Sequence, residues 1–589
     1  MSIGKSKGIR NLAAVRNSTI IRMSVAIALS LLLGSAYGAP SQGREPESQR
    51  QDTDVMLNAL TDEMKRSISS LKYEQHQLPY FVSYWAKELD ETTITSNLGS
   101  EADVDYTRNR CLLPTVRIGD YDLDSTMNGT SDQRAVTQIP LDDDYTAIRK
   151  AVWMATDKTY KFSIRTFEWK KAYLRSVHIP DRLPDMVKVD HPSVSVAPKL
   201  ELKLDESRWR GEVQKLSALF KQYPTIQSSK VTVDARMVTN WFVNSEGTRL
   251  RYSTPVYAVR YFASGQASDG MRISDYDVVA SRSESDLPTY SEFEAKIKSF
   301  AERTTKMIAA PLSKEYAGPV LLKGQAAAEF FSQVLGPTMG LAEEYIGNEN
   351  WHNPLKNVVG RRVLPEYMSI SDDPTKKEFD GKSLIGGYEF DDEGVPAEKV
   401  ELIVDGKLKD FCQSRLPTHH SKRSNGHSMG GHGVFSILEV TTNKPASESE
   451  FKDKIASLAK EAGLDYVLVI EKLNDDYQMG ECPSLENTTR RFDTPSYTAR
   501  PSDPTVVYRQ YLDGRKEYVR GLEFNSVNLR SFRDIQAVGS DSAPYVVEPN
   551  DYTARHLITP SFLMGELDFR IKKPEHATLP DVASPLVEK

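Results

Sequence analysis

Two strand-forming runs, Lys230–Val243 and Thr248–Phe262, flank the polar tetrad Asn244-Ser245-Glu246-Gly247. Both are rich in β-branched and aromatic residues, and a polar turn carrying Gly is what reverses an antiparallel pair. So long a hairpin makes sheet the organising element of its part of the chain. Tyr80–Trp85 and Thr115–Ile118 read as further strands. Helices surround them. Met56, Leu57, Leu60, Met64, Ile68 and Leu71 recur at helical spacing, and Tyr145–Leu174 and Glu206–Gln222 are two more helical stretches. In the last of these Trp209, Val213, Leu216 and Phe220 form the apolar stripe. A charged helix over Ser291–Ile308, with Phe293, Ile297, Phe300 and Ile308 on one side, connects to the second half of the chain.

That half is mainly strand. Pro319–Leu322, Val400–Val404, Phe435–Thr441 and Tyr466–Ile470 are strand-like, with Asp405-Gly406 as a hairpin turn. Helices are expected over Gln325–Leu335 and Ser449–Ala462, the latter closed by Gly463. No repeat of 20–50 residues recurs, which argues against a solenoid or propeller. The expected fold class is α+β: an N-terminal α+β domain over 53–308 and a large β-rich C-terminal domain over 309–589.

Charge narrows the partners. The chain carries a net −7, and its first 38 residues hold five cations and no acid, so the remainder carries −12. Such a surface repels a phosphate backbone, which argues against nucleic acid. The basic start runs into the apolar Val25–Leu33 and then into Ala36 and Gly38, the parts of a signal peptide cleaved before Ala39. Its apolar run is too short to span a bilayer. Residues 1–38 are therefore read as a signal peptide and 39–52 as a polar linker, and the mature protein as periplasmic or secreted; a retained anchor is the alternative. Cys111, Cys412 and Cys482 match no zinc or redox spacing, and at most one pair of them could join.

Several residues invite chemistry. His419, His420, His427 and His432 fall in a polar, Gly-rich segment that reads as a loop. Imidazoles are good metal ligands, but a tetrahedral site needs rigid supports, so a solvated loop is the simpler reading. Gly426-His427-Ser428-Met429-Gly430 matches the nucleophile-elbow pattern, yet neither flank offers the strand and helix that expose its Ser. No His is followed by Glu, so the His-Glu-x-x-His zinc helix is absent. Asp372-Asp373 and Asp391-Asp392-Glu393 sit beside Pro or Gly, where Asp serves turns.

One string of motifs is specific. Tyr316–Ala328, Ser371-Asp-Asp-Pro-Thr375, Asp391-Asp-Glu-Gly-Val-Pro396, Leu402–Leu408 and Ser424-Asn-Gly-His427, in this order, resemble the TldD/PmbA family (also called modulator of DNA gyrase) over about residues 310–570. Asn244–Thr248 extends the likeness loosely into the first half. The resemblance implies a metallopeptidase-related fold, and in the catalytic branch a zinc held by His-Glu-x-x-x-His and a later Cys. Here Ser332-Gln333-Val334-Leu335-Gly336-Pro337 stands in the place of that helix, with Ser332 and Pro337 where the His ligands would be and Gln333 where the Glu base would be. Ala537–Asp541 offers no Cys. The resemblance thus implies the zinc-free, PmbA-like arm, whose members work beside a zinc-bearing relative. No cofactor is expected, and zinc only at a divergent site.

The expected function is an exported subunit handling peptide or unfolded-protein substrates, with Asp391, Glu393, Asn425 and His427 as candidate binding residues. A homodimer, or a heterodimer with a zinc-bearing relative, is expected, with the loops at Asp391–Pro396 and Pro417–Gly433 near a shared groove. Alternatives are an active hydrolase using the His419–His432 loop, through an unusual metal or Ser428, and a non-catalytic structural protein of the envelope.

Overall fold

The computed structural model describes residues 54–126, 136–341, 353–473, 492–493, 498–525, 527–547, 555–572 and 585–587. The signal-peptide and linker segments and Cys482 lie outside the described residues. The fold is α+β, and the described residues belong to one compact unit, Asp52–Lys589.

The hairpin forms as Ser228–Asn244 and Arg249–Gln266, in register from Ser228 opposite Ser264 to Val243 opposite Arg249. Its turn is fixed by the Asn244 side chain, whose Oδ1 accepts from the N–H groups of Glu246 (3.0 Å) and Thr248 (2.9 Å). Gly247 supplies the positive φ of 107°. Around the hairpin a seven-stranded sheet runs in the order Thr137–Gln138, Asp103–Arg117, Phe81–Ser96, Ser228–Asn244, Arg249–Gln266 and Val194–Val196, with Arg272–Ser281 also on Arg249–Gln266.

Strand periodicity splits this sheet into two chemistries. Val231, Val233, Ala235, Tyr257, Val259 and Tyr261 point to one side, against Trp209, Val213, Leu216 and Phe220 and against Phe293, Ile297 and Phe300. Further along the same side, Tyr84, Ala86, Leu112, Trp241 and Val243 meet the Val55–Ser70 and Tyr145–Ser176 helices. The intervening residues, among them Lys87, Arg236, Asn240, Tyr252, Thr254 and Arg260, line a cavity on the opposite side.

The second half holds a six-stranded sheet (Lys407–Leu408, Val400–Val404, Met368–Asp372, Ile437–Thr442, Arg555–Thr559, Ala543–Val547) and a seven-stranded one centred on Tyr466–Leu473, Tyr316–Leu322 and Phe562–Ile571. The two share one core with the Gln325–Phe330 helix, through Val320, Phe330, Phe331, Ile370, Leu402, Leu468 and Phe562. That helix departs from expectation. It is α only to Phe330, widens into a π turn over Phe331–Leu335, and ends in a 3₁₀ turn at Gly336–Thr338. Pro337 has no N–H to give to the carbonyl four residues back, so a regular α ladder cannot pass through it. The His-rich loop likewise contains a short ribbon, Ser428–Met429 with His432–Gly433, around Gly430 and Gly431 at φ 67° and 87°.

Ion pairs lock the two halves together. Lys472 bonds Asp275 (3.0 Å) and Asp277 (2.9 Å) under the face of Tyr276, and Arg303 shares both carboxylates. Arg415, 1% exposed, pairs with Glu246 at 2.7 Å and donates to the carbonyl of Val187.

Candidate functional site

The polar side of the N-terminal sheet is roofed by two pieces of the C-terminal half, residues 385–392 and 428–430, and between floor and roof lies a cavity of about 320 Å³. A second cavity of about 610 Å³ adjoins it. Tyr252, Thr254, Arg282, Gly387, Tyr388 and Phe390 line both, so they are two chambers of one groove. The size is that of sites that take small ligands or a few side chains.

The roof is shaped by Asp391. Its Oδ1 accepts from the N–H of Glu393 (3.0 Å) and Val395 (2.9 Å), and its Oδ2 from the N–H of Ser428 (3.0 Å), tying the two roofing loops together. Gly394, at φ 77°, lets the loop lie against Phe242 and Thr248, where a Cβ would come within 2.7 and 2.9 Å. Burial first, and then the charges of Glu393 and Asp392, push the Asp391 carboxyl well above the usual range. Desolvation likewise raises the Tyr252 and Tyr388 hydroxyls, so both stay protonated. Among the described residues Ser428 Oγ is buried with no hydrogen-bond partner, so no base is hydrogen-bonded to it.

Of the candidate binding residues, Asp391 lines the groove while the other three are engaged inside the loops. Glu393 accepts from the N–H of Arg415 at 2.8 Å. Asn425 accepts from the Gln413 N–H (2.8 Å) and donates to the Phe411 carbonyl (2.9 Å). His427 is fully buried, its Nδ1 2.9 Å from Asn425 Oδ1 and its Nε2 3.0 Å from Asp372 Oδ2 without a well-aligned hydrogen bond.

The four clustered histidines do not converge. His419 and His420 are exposed, the latter 3.1 Å from Asp410, and His432 is half-buried in the ribbon. Neighbours in sequence are parted here by tight turns. What the fold brings together is Asp372, Cys412 and His427, with ligand atoms within 4.8 Å of one another. All three are sealed from solvent, and burial holds the Cys412 thiol well above its ordinary pKa. Asp372 also takes the Ser436 N–H on both oxygens, at 3.1 and 3.0 Å.

Residues 313–473, which carry the strand before the π turn and both roofing loops, match the PmbA/TldA metallopeptidase C-terminal domain. Over these residues the chain thus carries a domain of the TldD/PmbA family. A metalloprotease of Archaeoglobus fulgidus is 46% identical over 61 residues, 10% of this chain and 13% of that protein. A Synechocystis metalloprotease is 25% identical over 193 residues, 32% of this chain and 39% of that one. The matched stretches thus span well under half the length of these relatives. Among solved structures, a Thermotoga maritima protein described as a modulator of DNA gyrase superposes with TM-score 0.56 at 16% identity, covering 83% of this chain and 96% of that one. TldE from Thermococcus kodakarensis gives TM-score 0.55 at 14% identity, covering 88% and 100%. At such identity these two establish a shared fold.

The zinc that the TldD/PmbA resemblance implies finds no ligand set at its expected helix. Among the described residues Ser332 Oγ is buried without a partner, and a neutral hydroxyl is a poor zinc donor. Gln333 Oε1 accepts from the N–H of Ser502 at 2.7 Å, so this amide already serves the fold. Pro337 has no ligand atom and is exposed.

Arg282, Tyr252 and Tyr388, which meet in the groove, carry no local motif. The available signal was the alternation within 230–260, which sets Arg236, Asn240, Tyr252, Thr254 and Arg260 opposite the apolar Val231, Val233, Tyr257 and Val259. Likewise nothing local links Asp372, Cys412 and His427, which come from three separate segments.

Proposed function

We propose that this TldD/PmbA-family chain is a zinc-free, PmbA-type subunit, exported after cleavage near Gly38, that binds extended peptides beside a zinc-bearing relative. The observation that carries this reading is the replacement of every zinc-helix position, with Pro337 ending the helix as a π and 3₁₀ turn. The groove supports the binding part. Its protonated Tyr252 and Tyr388 hydroxyls are set to donate or accept, and its apolar wall of Val238, Val256 and Val278 suits side chains of an extended segment. Ser428, which lines it, has no base hydrogen-bonded to its hydroxyl among the described residues. Purified protein incubated with unfolded peptides, with and without zinc, tests the reading. Peptide binding without cleavage is expected, with cleavage only when a zinc-bearing relative is added; zinc-dependent, chelator-sensitive cleavage by this chain alone would sink it.

One observation favours a second reading. The carboxylate, thiol and imidazole of Asp372, Cys412 and His427 are a donor set that suits zinc, and His427 Nε2 lacks an aligned hydrogen bond. On this reading the family's ion has moved to a divergent centre. Stoichiometric metal in purified protein, lost in His427→Ala, would favour it.

A further inference from the structure

The cations of the groove are not alike. Arg260 lies 2.9 Å from Asp234, and Arg236 lies 3.5 Å from Glu91. Arg282 instead donates to three main-chain carbonyls, those of Pro255 (3.4 Å), Ile385 and Gly387 (2.9 Å), and among the described residues no carboxylate pairs with it. Carbonyls satisfy hydrogens but do not neutralise a full charge. A guanidinium has five N–H donors, and those three bonds use only its two terminal nitrogens. The consequence shows in its pKa, which burial alone lowers to about 10.

Position matters as much as charge. Arg282 lines both chambers of the groove, at their junction, beside Tyr252 and Tyr388. Asp391 does not supply the missing negative charge, because its surroundings hold it toward the neutral form. The carbonyl clamp fixes the guanidinium in advance and leaves Nε–H and one Nη1–H, so a carboxylate would meet a preplaced charge through single N–H bonds.

We propose that Arg282 is the receptor for a carboxylate carried by a peptide lying in the groove, so that the groove selects acidic peptide ends or acidic side chains. The proposal rests on the peptide-binding reading above and adds its selectivity. The carboxylate has two possible sources, a free C-terminus or an Asp or Glu side chain.

Fluorescence anisotropy with one labelled Gly/Ser/Ala peptide in three versions separates them: free acid, C-terminal amide, and amide with one internal Glu. At least one carboxylate version should bind roughly 10- to 100-fold tighter than the plain amide, and which one does so names the source. In Arg282→Gln that preference should vanish, the three versions binding within about threefold of one another. Arg282→Lys, which keeps the charge but not the clamped guanidinium, should retain part of it. Because each result is a ratio measured on one protein sample, an inactive fraction does not imitate it, and Arg282→Lys carries the test if Arg282→Gln does not fold. Equal binding of all three versions overturns the carboxylate receptor and leaves the peptide reading standing. Absence of binding by every version overturns both. A preference that survives in Arg282→Gln removes the assignment from Arg282.

Discussion

The two faces of the Ser228–Gln266 hairpin share a backbone and differ in how they are completed. On one, Val231, Val233, Tyr257 and Val259 are covered by the chain's own helices and fully or almost fully buried. On the other, Arg236, Asn240, Tyr252 and Arg260 are covered in part by loops more than a hundred residues away, and a groove is left. One alternating strand thus places a packed core and, on the proposed reading, a recognition surface a residue apart. The first face is a core, where loss of volume is costly. The second is a partly covered polar surface, where loss of a side chain should cost little stability and, on the proposed reading, should change what binds.

The sharpest way to break this comparison is to truncate one residue on each side. Phe300, 1% exposed, meets Tyr261 edge-on at 5.0 Å and Phe220 at 6.1 Å. Phe300→Ala should cost about 3–5 kcal/mol in urea unfolding, whereas Thr254→Ala on the groove face should cost under about 0.5 kcal/mol. Equal losses would mean that the two faces are not distinct. Next in size is the clamp that holds the roof in place. Glu246→Gln leaves Arg415 buried without its carboxylate, and about 3 kcal/mol of stability should be lost. A loss near that of an exposed pair would show that roof and floor are held by something else.

The helical face was the legible one. Periodic apolar residues and capped ends place Val55–Ser70, Tyr145–Ser176 and Glu206–Ala218 within a few residues of their expected spans, because each stripe is a local pattern. The Asn244–Gly247 turn was legible for the same reason. Arg272–Ser281 and Met368–Asp372 were not, since the first is interrupted by Ser274, Asp275 and Asp277 and the second is only five residues long, and both are fixed by their pairing partners. In the site, Asp391 and Ser428 could be singled out by local motif. Arg282 could not, because its meaning comes from the carbonyls of Ile385 and Gly387, a hundred residues on.

A smaller effect distinguishes the faces by pH. His556 stands behind the roof, where its Nδ1 accepts from the N–H of Gly386 at 3.3 Å, and burial, then the charge of Arg282, lowers its pKa from 6.5 to about 4. A depressed pKa means that the unfolded chain binds the extra proton more readily. This contribution to stability is therefore complete above about pH 6.5 and is lost as pH falls toward and through about 4. Stability should fall by up to about 1.4 kcal/mol per pH unit inside that window from this group, and His556→Gln should flatten the slope there. Arg282→Gln should raise the His556 pKa, read from its imidazole NMR signals; an unmoved pKa would place Arg282 too far away to matter.

The smallest effect is the most discriminating for the layer beneath the groove. Asp372, Cys412 and His427 lie one residue in from the groove wall, since Ser436, which lines it, gives its N–H to Asp372, and Ser428, which lines it too, follows His427. If this trio only ties three loop segments together, its energy lies in contacts already made. Dialysis against a chelator should then move the melting temperature by less than about 1 °C, a stability change of well under 1 kcal/mol. An ion bound at a hundredfold excess over its dissociation constant would add about 2.7 kcal/mol, and its removal would lower the melting temperature by several degrees in the parent chain but not in Cys412→Ser. Differential scanning fluorimetry of both proteins, with metal content measured alongside, decides between a sealed knot of polar groups and a displaced metal centre.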